Sequence, residues 1–467
     1  MQHLLQRAQS WAPSLVIGGF VAVAAFIGLT IAISPVVGVA LAIGLSAVLL
    51  APAVQHRVGL PPWWPLLPIA VLQPMNRLRP IPGVTVGDVG LVLLGAVALT
   101  LLPRSRLPAR VVVPLIGTLV MAAGGLLGTI ATQDWGISTV VQGGYYGGNG
   151  LLIFKFLLGA PCVIIIVSAV TSTRTLACYL AGAYAVGAAI SSFFAMFPAY
   201  QDPYFQRAFG LGVHQLHLAL TAVFGGIVAL GWLISATRNW QRAAATVVGL
   251  LNAYGIILSG ARSGLLALAA ALFFLACVGR ARGLLTFLGG SLLAFGVMVL
   301  VSPMLPEGST INRLLGRGDL VGQVELSNGQ HQQAAQDAIA EIGQHTLTGL
   351  GFGQGLDAHS LLLEAWNSAG VLGVIGVGMI WGTFALLWGR TLRYGVRRVD
   401  AVPAALLAGA LGYFVLAQLE NILWDRHLWF FLTLALLAAP RTRADLDESG
   451  GVPDDLVVSE PPVLVSH

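Results

Sequence analysis

From residue 12 onward, apolar stretches of about 20 residues follow one another with short polar breaks, each long enough to cross a bilayer as a helix. The pattern predicts fourteen spans, at residues 12–33, 35–54, 60–74, 86–102, 111–131, 151–171, 175–198, 213–236, 243–259, 264–279, 284–302, 361–389, 401–420 and 428–440. The third is short and carries Pro61, Pro62, Pro65, Pro68 and Pro74, so it fits a re-entrant segment as well as a span. Residues 303–358 interrupt the pattern as one long loop. Within it Ala334, Ala335, Ala338, Ile339 and Ile342 recur at helical spacing, with Gln332, Gln336, Asp337 and Glu341 opposite. That spacing predicts an amphipathic helix from Asn328, its N-cap, to Gly343. Residues 441–467 mix acids with prolines and read as a disordered tail. The expected fold is all-α and polytopic, with about 12–14 transmembrane helices. Residues 1–302 and 359–440 form its two membrane blocks, and 303–358 is an extracytoplasmic loop containing short helices.

Composition removes the main alternative. Only 9% of the 467 residues are charged and 57% are hydrophobic, against about 25% charged in a soluble domain. The 24 basic residues are 23 Arg and one Lys, Lys155, spread over short loops, a pattern that sets orientation and does not suit nucleic acid. With the N-terminus in the cytoplasm and the first span (Trp11 to about Ser34) retained, sixteen of the 24 fall inside. Arg77, Arg79, Arg207, Arg262, Arg313, Arg317 and Arg426 fall outside. Cys162, Cys178 and Cys277 all lie in apolar stretches and read as small core residues, with no disulfide framework or zinc site implied.

The outer side also collects the titratable groups. Of the thirteen acids outside the tail, eleven fall there, Glu364 and Glu420 among them, with His214, His217, His331, His345, His359 and His427. Ionisable groups near spans are costly and are functional candidates by default, although outer loops also need solvating charge. Arg207 and Arg262 stand in short outer connections, against the orientation rule. Arg207 precedes His214 and His217 at the mouth of a span. Arg262 sits in the Gly-rich break Ser259-Gly260-Ala261-Arg262-Ser263-Gly264. Guanidinium forks bind phosphate at two points, and a helix N-terminus after Ser263 adds backbone donors, so a diphosphate fits both. Pairing with Glu420, Asp425 or lipid headgroups fits as well. Lys155, about one turn into its span, either joins these arginines or snorkels to the interface. Further on, the glycines of Leu347-Thr348-Gly349-Leu350-Gly351-Phe352-Gly353 let the backbone bend as the loop re-enters the membrane. His359 then opens a span with Glu364 about one and a half turns later. A histidine at that interface suits general-base work on a hydroxyl, or simply caps the helix.

Three of these segments, in this order, resemble the O-antigen ligase and O-antigen polymerase superfamily of polytopic membrane glycosyltransferases. They are Arg207-Ala208-Phe209-Gly210 with His214, then Ser259-Gly260-Ala261-Arg262-Ser263-Gly264, then Gly349-Leu350-Gly351 through His359 to Leu363-Glu364. The likeness covers roughly residues 200–390, and Gln418-Leu419-Glu420-Asn421 matches more loosely. In this chain Ser360 stands where Asn commonly follows the histidine, and Gln330-His331 where an arginine is common in the loop helix. The resemblance implies a GT-C-like fold in the bacterial cytoplasmic membrane, with both termini cytoplasmic and the active site extracytoplasmic. It implies an inverting transfer, without metal or cofactor, from a polyprenyl-diphosphate-linked glycan donor to a glycan or lipid acceptor. Arg207 and Arg262 would hold the diphosphate, and His359 would activate the acceptor hydroxyl or orient the donor. Lys155, His214, His217, Glu364 and Glu420 would contact substrate.

Two other classes compete. A transporter or flippase of lipid-linked glycan or a small anion should carry ionisable residues along both halves of a pathway, whereas here they crowd one half. An intramembrane hydrolase using Ser263 or Ser360 lacks a Gly-x-Ser-x-Gly motif.

Overall fold

The structure is a computed structural model. It describes residues 63–64, 66–79, 85–101, 107–133, 135, 149–202, 207–306, 308–315, 321–352, 359–395, 400–420 and 426–439. The expected spans 12–33 and 35–54 and the tail 441–467 lie outside these residues.

Fifteen α-helices are described: α1 (Leu66–Leu72), α2 (Val86–Leu101), α3 (Ala109–Thr132), α4 (Asn149–Gly159), α5 (Pro161–Val170), α6 (Arg174–Phe194), α7 (Gln215–Ser235), α8 (Asn239–Ser259), α9 (Arg262–Val278), α10 (Arg280–Val301), α11 (Thr310–Leu314), α12 (Val321–His345), α13 (Leu361–Tyr394), α14 (Ala401–Ala417) and α15 (Arg426–Ala438). A two-residue antiparallel pairing of β1 (Gln201–Asp202) with β2 (Arg207–Ala208) closes the α6–α7 connection. Seven stretches among the described residues are long and apolar enough to cross a membrane, so the chain is an all-α polytopic membrane protein.

Hydropathy places most helices within a few residues, and the differences have local causes. Among the described residues of the stretch 60–74 the helix is the seven-residue α1, too short to span. Pro161 splits the span 151–171 into α4 and α5, because proline lacks an N–H and clashes with the preceding turn. The loop helix is α12, 25 residues long and not short, with Asn328 inside it instead of capping it. Its expected apolar face is only partly used: Ala338 and Ile342 are buried, but Ile339 is 58% exposed. The three cysteines are half-buried free thiols, and Cys178 packs against the core as expected.

The core lies where α6, α7, α14 and α15 meet. The Phe224 and Phe431 rings stack with centroids 3.8 Å apart, and Tyr184 and Tyr413 flank them. A second packing unit joins α3 to α13 through small residues, which let helix backbones approach closely where lipid supplies no hydrophobic drive. A β-carbon on Gly124 would lie 2.4 Å from the Ala369 carbonyl oxygen, and one on Gly128 2.4 Å from the Gly351 nitrogen. By contrast α10 leaves Leu292 and Leu300 about three-quarters exposed, 75% and 76%, as a lipid-facing helix does.

α13 is not one continuous helix. Gly370 breaks it with φ 60° and ψ −151°. The Leu350 and Gly351 N–H groups donate to the Asn367 and Ser368 carbonyls, at 2.8 and 2.9 Å. The glycine-rich end of the long loop is thus latched into a gap in a membrane helix, with Phe352 buried behind it. This satisfies backbone groups that lipid could not.

Helix direction alternates along the chain. The starts of α7, α9, α13 and α15 therefore share one end of the bundle with the ends of α6, α8 and α14. At the opposite end Arg110 donates to the Ala439 and Leu437 carbonyls, at 2.9 and 2.8 Å, and Arg174 to Ala438 at 3.0 Å while also pairing with Asp400. These cations close the last turn of α15, where carbonyls are unsatisfied and the helix dipole is negative. Arg110→Ala should lower stability by about 1–3 kcal/mol, read as a drop in the thermal midpoint in detergent. An unchanged midpoint would show that the cap contributes nothing.

Candidate functional site

The break between α8 and α9 organises the first cluster. α8 ends because Gly260 turns left-handed (φ 69°), the standard use of glycine just past a helix end. Ser259 helps: its hydroxyl donates to the Ile256 carbonyl and accepts from the Ala261 N–H. Arg262 is then the first residue of α9. Two further arginines reach this corner from elsewhere in the chain. Arg207, on β2, lies 3.4 Å from the Ser259 carbonyl oxygen and 3.5 Å from that of Gly260. Arg313, on α11, donates to the Gly260 carbonyl at 2.6 Å. The corner is tight: a β-carbon on Gly260 would lie 2.8 Å from Arg207 side-chain atoms and 2.5 Å from the Gly308 carbonyl oxygen.

Three guanidinium groups so close oppose one another. Burial and the neighbouring Arg313 push the Arg207 pKa down to about 10, with Arg262 adding to the effect and Glu420 and Asp202 opposing it. Burial and Arg262 likewise lower Arg313, with Glu420 again opposing. Even so lowered, Arg207 still carries its charge near neutrality. An anion entering this corner would relieve the repulsion and would face the positive end of α9.

Glu420 connects the cluster to the histidine. It follows α14, accepts a hydrogen bond from the Ser263 hydroxyl at 3.0 Å, and places its other carboxylate oxygen 3.9 Å from His359 Nδ1. His359 has φ 47°, a conformation rare for residues with a β-carbon, and such strain clusters at functional sites. The His331 ring packs against it with centroids 3.8 Å apart, which lays α12 over the site. Two contacts hold α12 and its end there: Asn367 donates to the Glu341 carboxylate at 2.8 Å, and the Trp366 indole donates to the Thr346 carbonyl at 3.2 Å.

Arg207, Arg262, His359 and Glu420 are thus gathered at one end of the bundle. The other expected residues have the following surroundings. Lys155 is exposed on α4 and sits among Arg426 and Arg79, away from the Arg207–Arg262 corner. His214 is exposed and caps α7, its Nδ1 accepting the Leu216 N–H at 3.3 Å. His217 packs edge-on to His427, whose Nδ1 is 2.8 Å from Asn76. Glu364 is buried, at 3% exposure, in the first half of α13. Conversely, Arg313 and His331 belong to the cluster although sequence reasoning gave them no role. For Arg313 the available signal was its place among the few arginines that break the orientation rule. For His331 it was only the departure from an arginine at that position. No protein-family model matches the chain, and no curated protein matches it at a significant level.

Proposed function

We propose that the chain is a membrane glycosyltransferase that moves a glycan from a polyprenyl-diphosphate donor to an acceptor hydroxyl at the outer face of a bacterial cytoplasmic membrane. The observation that carries this reading is the convergence of Arg207, Arg262 and Arg313 beside a His359–Glu420 pair at one end of an apolar bundle. The arginines and the start of α9 suit a diphosphate, whose charge grows as it leaves. His359, with Glu420 facing Nδ1, suits removal of a proton from the acceptor through its other ring nitrogen. In the step itself the acceptor oxygen attacks the anomeric carbon and the bond from that carbon to the diphosphate oxygen breaks. The diphosphate departs with the electron pair, the acceptor proton passes to His359, and the anomeric configuration inverts.

The test is full-length purified protein with a defined polyprenyl-diphosphate glycan and mass analysis of the products. Donor consumption is expected, giving either a ladder of lengths (a polymerase) or a single adduct on a distinct acceptor (a ligase). His359→Ala should slow it by about 10²–10⁴-fold, the usual contribution of a positioned base. Intact donor that only changes leaflet in vesicles would replace this reading with a transporter.

A further inference from the structure

We propose that the cavity lined by Arg77, Arg79, Phe209 and Val213 binds a phosphate group, as a site separate from the Arg207–Arg262–Arg313 corner. Its volume, about 350 Å³, admits a phosphorylated headgroup. Arg77 is held for such a role. Its guanidinium lies 4.1 Å from the centre of the Phe209 ring and 5.4 Å from that of Tyr200, and its N–H donates to the Leu211 carbonyl at 2.7 Å. Stacking covers the face of the guanidinium and leaves its edge donors to point at a ligand. Arg79 is exposed at the same cavity. Lys155 extends the positive field beside Arg79, whereas Arg426 is paired with the Asp88 carboxylate at 2.6 Å. Arg207 and Arg313 turn instead to the Ser259 and Gly260 carbonyls, so the two basic groups face different partners. Two guanidinium groups on separate residues suit a tetrahedral anion with several oxygens better than a carboxylate, which one fork saturates. The phosphate belongs either to a bilayer phospholipid or to a phosphorylated solute. Binding here requires no transfer chemistry, so this inference stands apart from the proposed function.

Two probes, short-chain phosphatidylglycerol and inorganic diphosphate, should be titrated into the full chain in neutral detergent. Each is measured with and without Arg77→Gln/Arg79→Gln, and again in an Arg262→Gln background that weakens the first corner. At least one probe should bind the parent protein and lose about tenfold or more in affinity in the double variant, in both backgrounds. Loss for the lipid alone assigns a bilayer headgroup, and loss for diphosphate assigns a phosphorylated solute. Phe209→Leu, which keeps both charges, should cost a few-fold. If the double variant does not fold, Arg79→Gln, at an exposed side chain, reads the same quantity with a smaller loss. Unchanged binding in the arginine variants, or no binding of either probe to the parent, overturns the proposal.

Discussion

Arg262→Ala should lower donor turnover by about 10²–10³-fold, the usual result of removing one donor aimed at developing charge. The protein should remain folded, because Arg262 opens α9 and the helix break is formed by Gly260 and Ser259. Arg207→Ala should fall by a similar factor but with an added loss of stability, since Arg207 also lies over the last carbonyls of α8. The pair of variants therefore separates ligand binding from helix capping: one loses rate alone, the other rate and thermal midpoint. Lysine at 262 keeps the charge but not the two-point fork, and should restore only part of the rate. Steady-state rates on a purified lipid-linked donor, beside melting curves, decide the matter. An Arg262→Ala enzyme with more than half the parent rate would remove this residue from the site.

The second large effect is structural. Gly370→Val should cost more than about 3 kcal/mol and abolish activity. A β-carbon there would lie 2.2 Å from the Leu347 carbonyl oxygen and 2.8 Å from the Gly349 nitrogen, and φ is 60°. Neither obstacle is a flexible side-chain end. The latch between Gly349–Gly351 and Asn367–Ser368 would open, and the segment leading to His359 would lose its anchor. Gly378→Ala, on the same helix, meets nothing within 4 Å and should be neutral or slightly stabilising through helix propensity. Thermal unfolding of both variants checks the contrast. Equal midpoints would mean that the break in α13 carries no load.

These two glycines show where sequence reasoning succeeds and stops. Spans such as 111–131 and 213–236 are readable because lipid demands about 20 apolar residues and nothing else supplies them. The break at Gly370 is hidden, because Ser368-Ala369-Gly370-Val371 is as acceptable in a continuous span as in a broken one. Only a partner outside the helix, the loop end at Gly349–Gly351, makes the difference. The site behaves alike. Arg207 and Arg262 stand out because a charge in a short connection between apolar spans is expensive. Arg313 does not, since a long polar loop tolerates charge anywhere and only folding carries it to Gly260. Lys155 has the same rarity as Arg262, yet the path of α4 takes it to Arg426. Glu420 was visible as an acid beside a span, but its place between Ser263 and His359 depends on α14 packing against α9, which periodicity does not encode.

The latch also separates a short-range closure from a long-range one. Leu350 and Gly351 bond to residues close by in the chain, whereas Thr132 on α3 reaches the Leu350 carbonyl across 218 positions, at 3.4 Å. Closing a short loop costs little entropy and a long one more. The loop end and the first half of α13 therefore form the contact with the smaller closure cost, as a local unit. The contact with α3 carries the larger closure cost, and there Gly128 packs against the Gly351 backbone of the latched loop end.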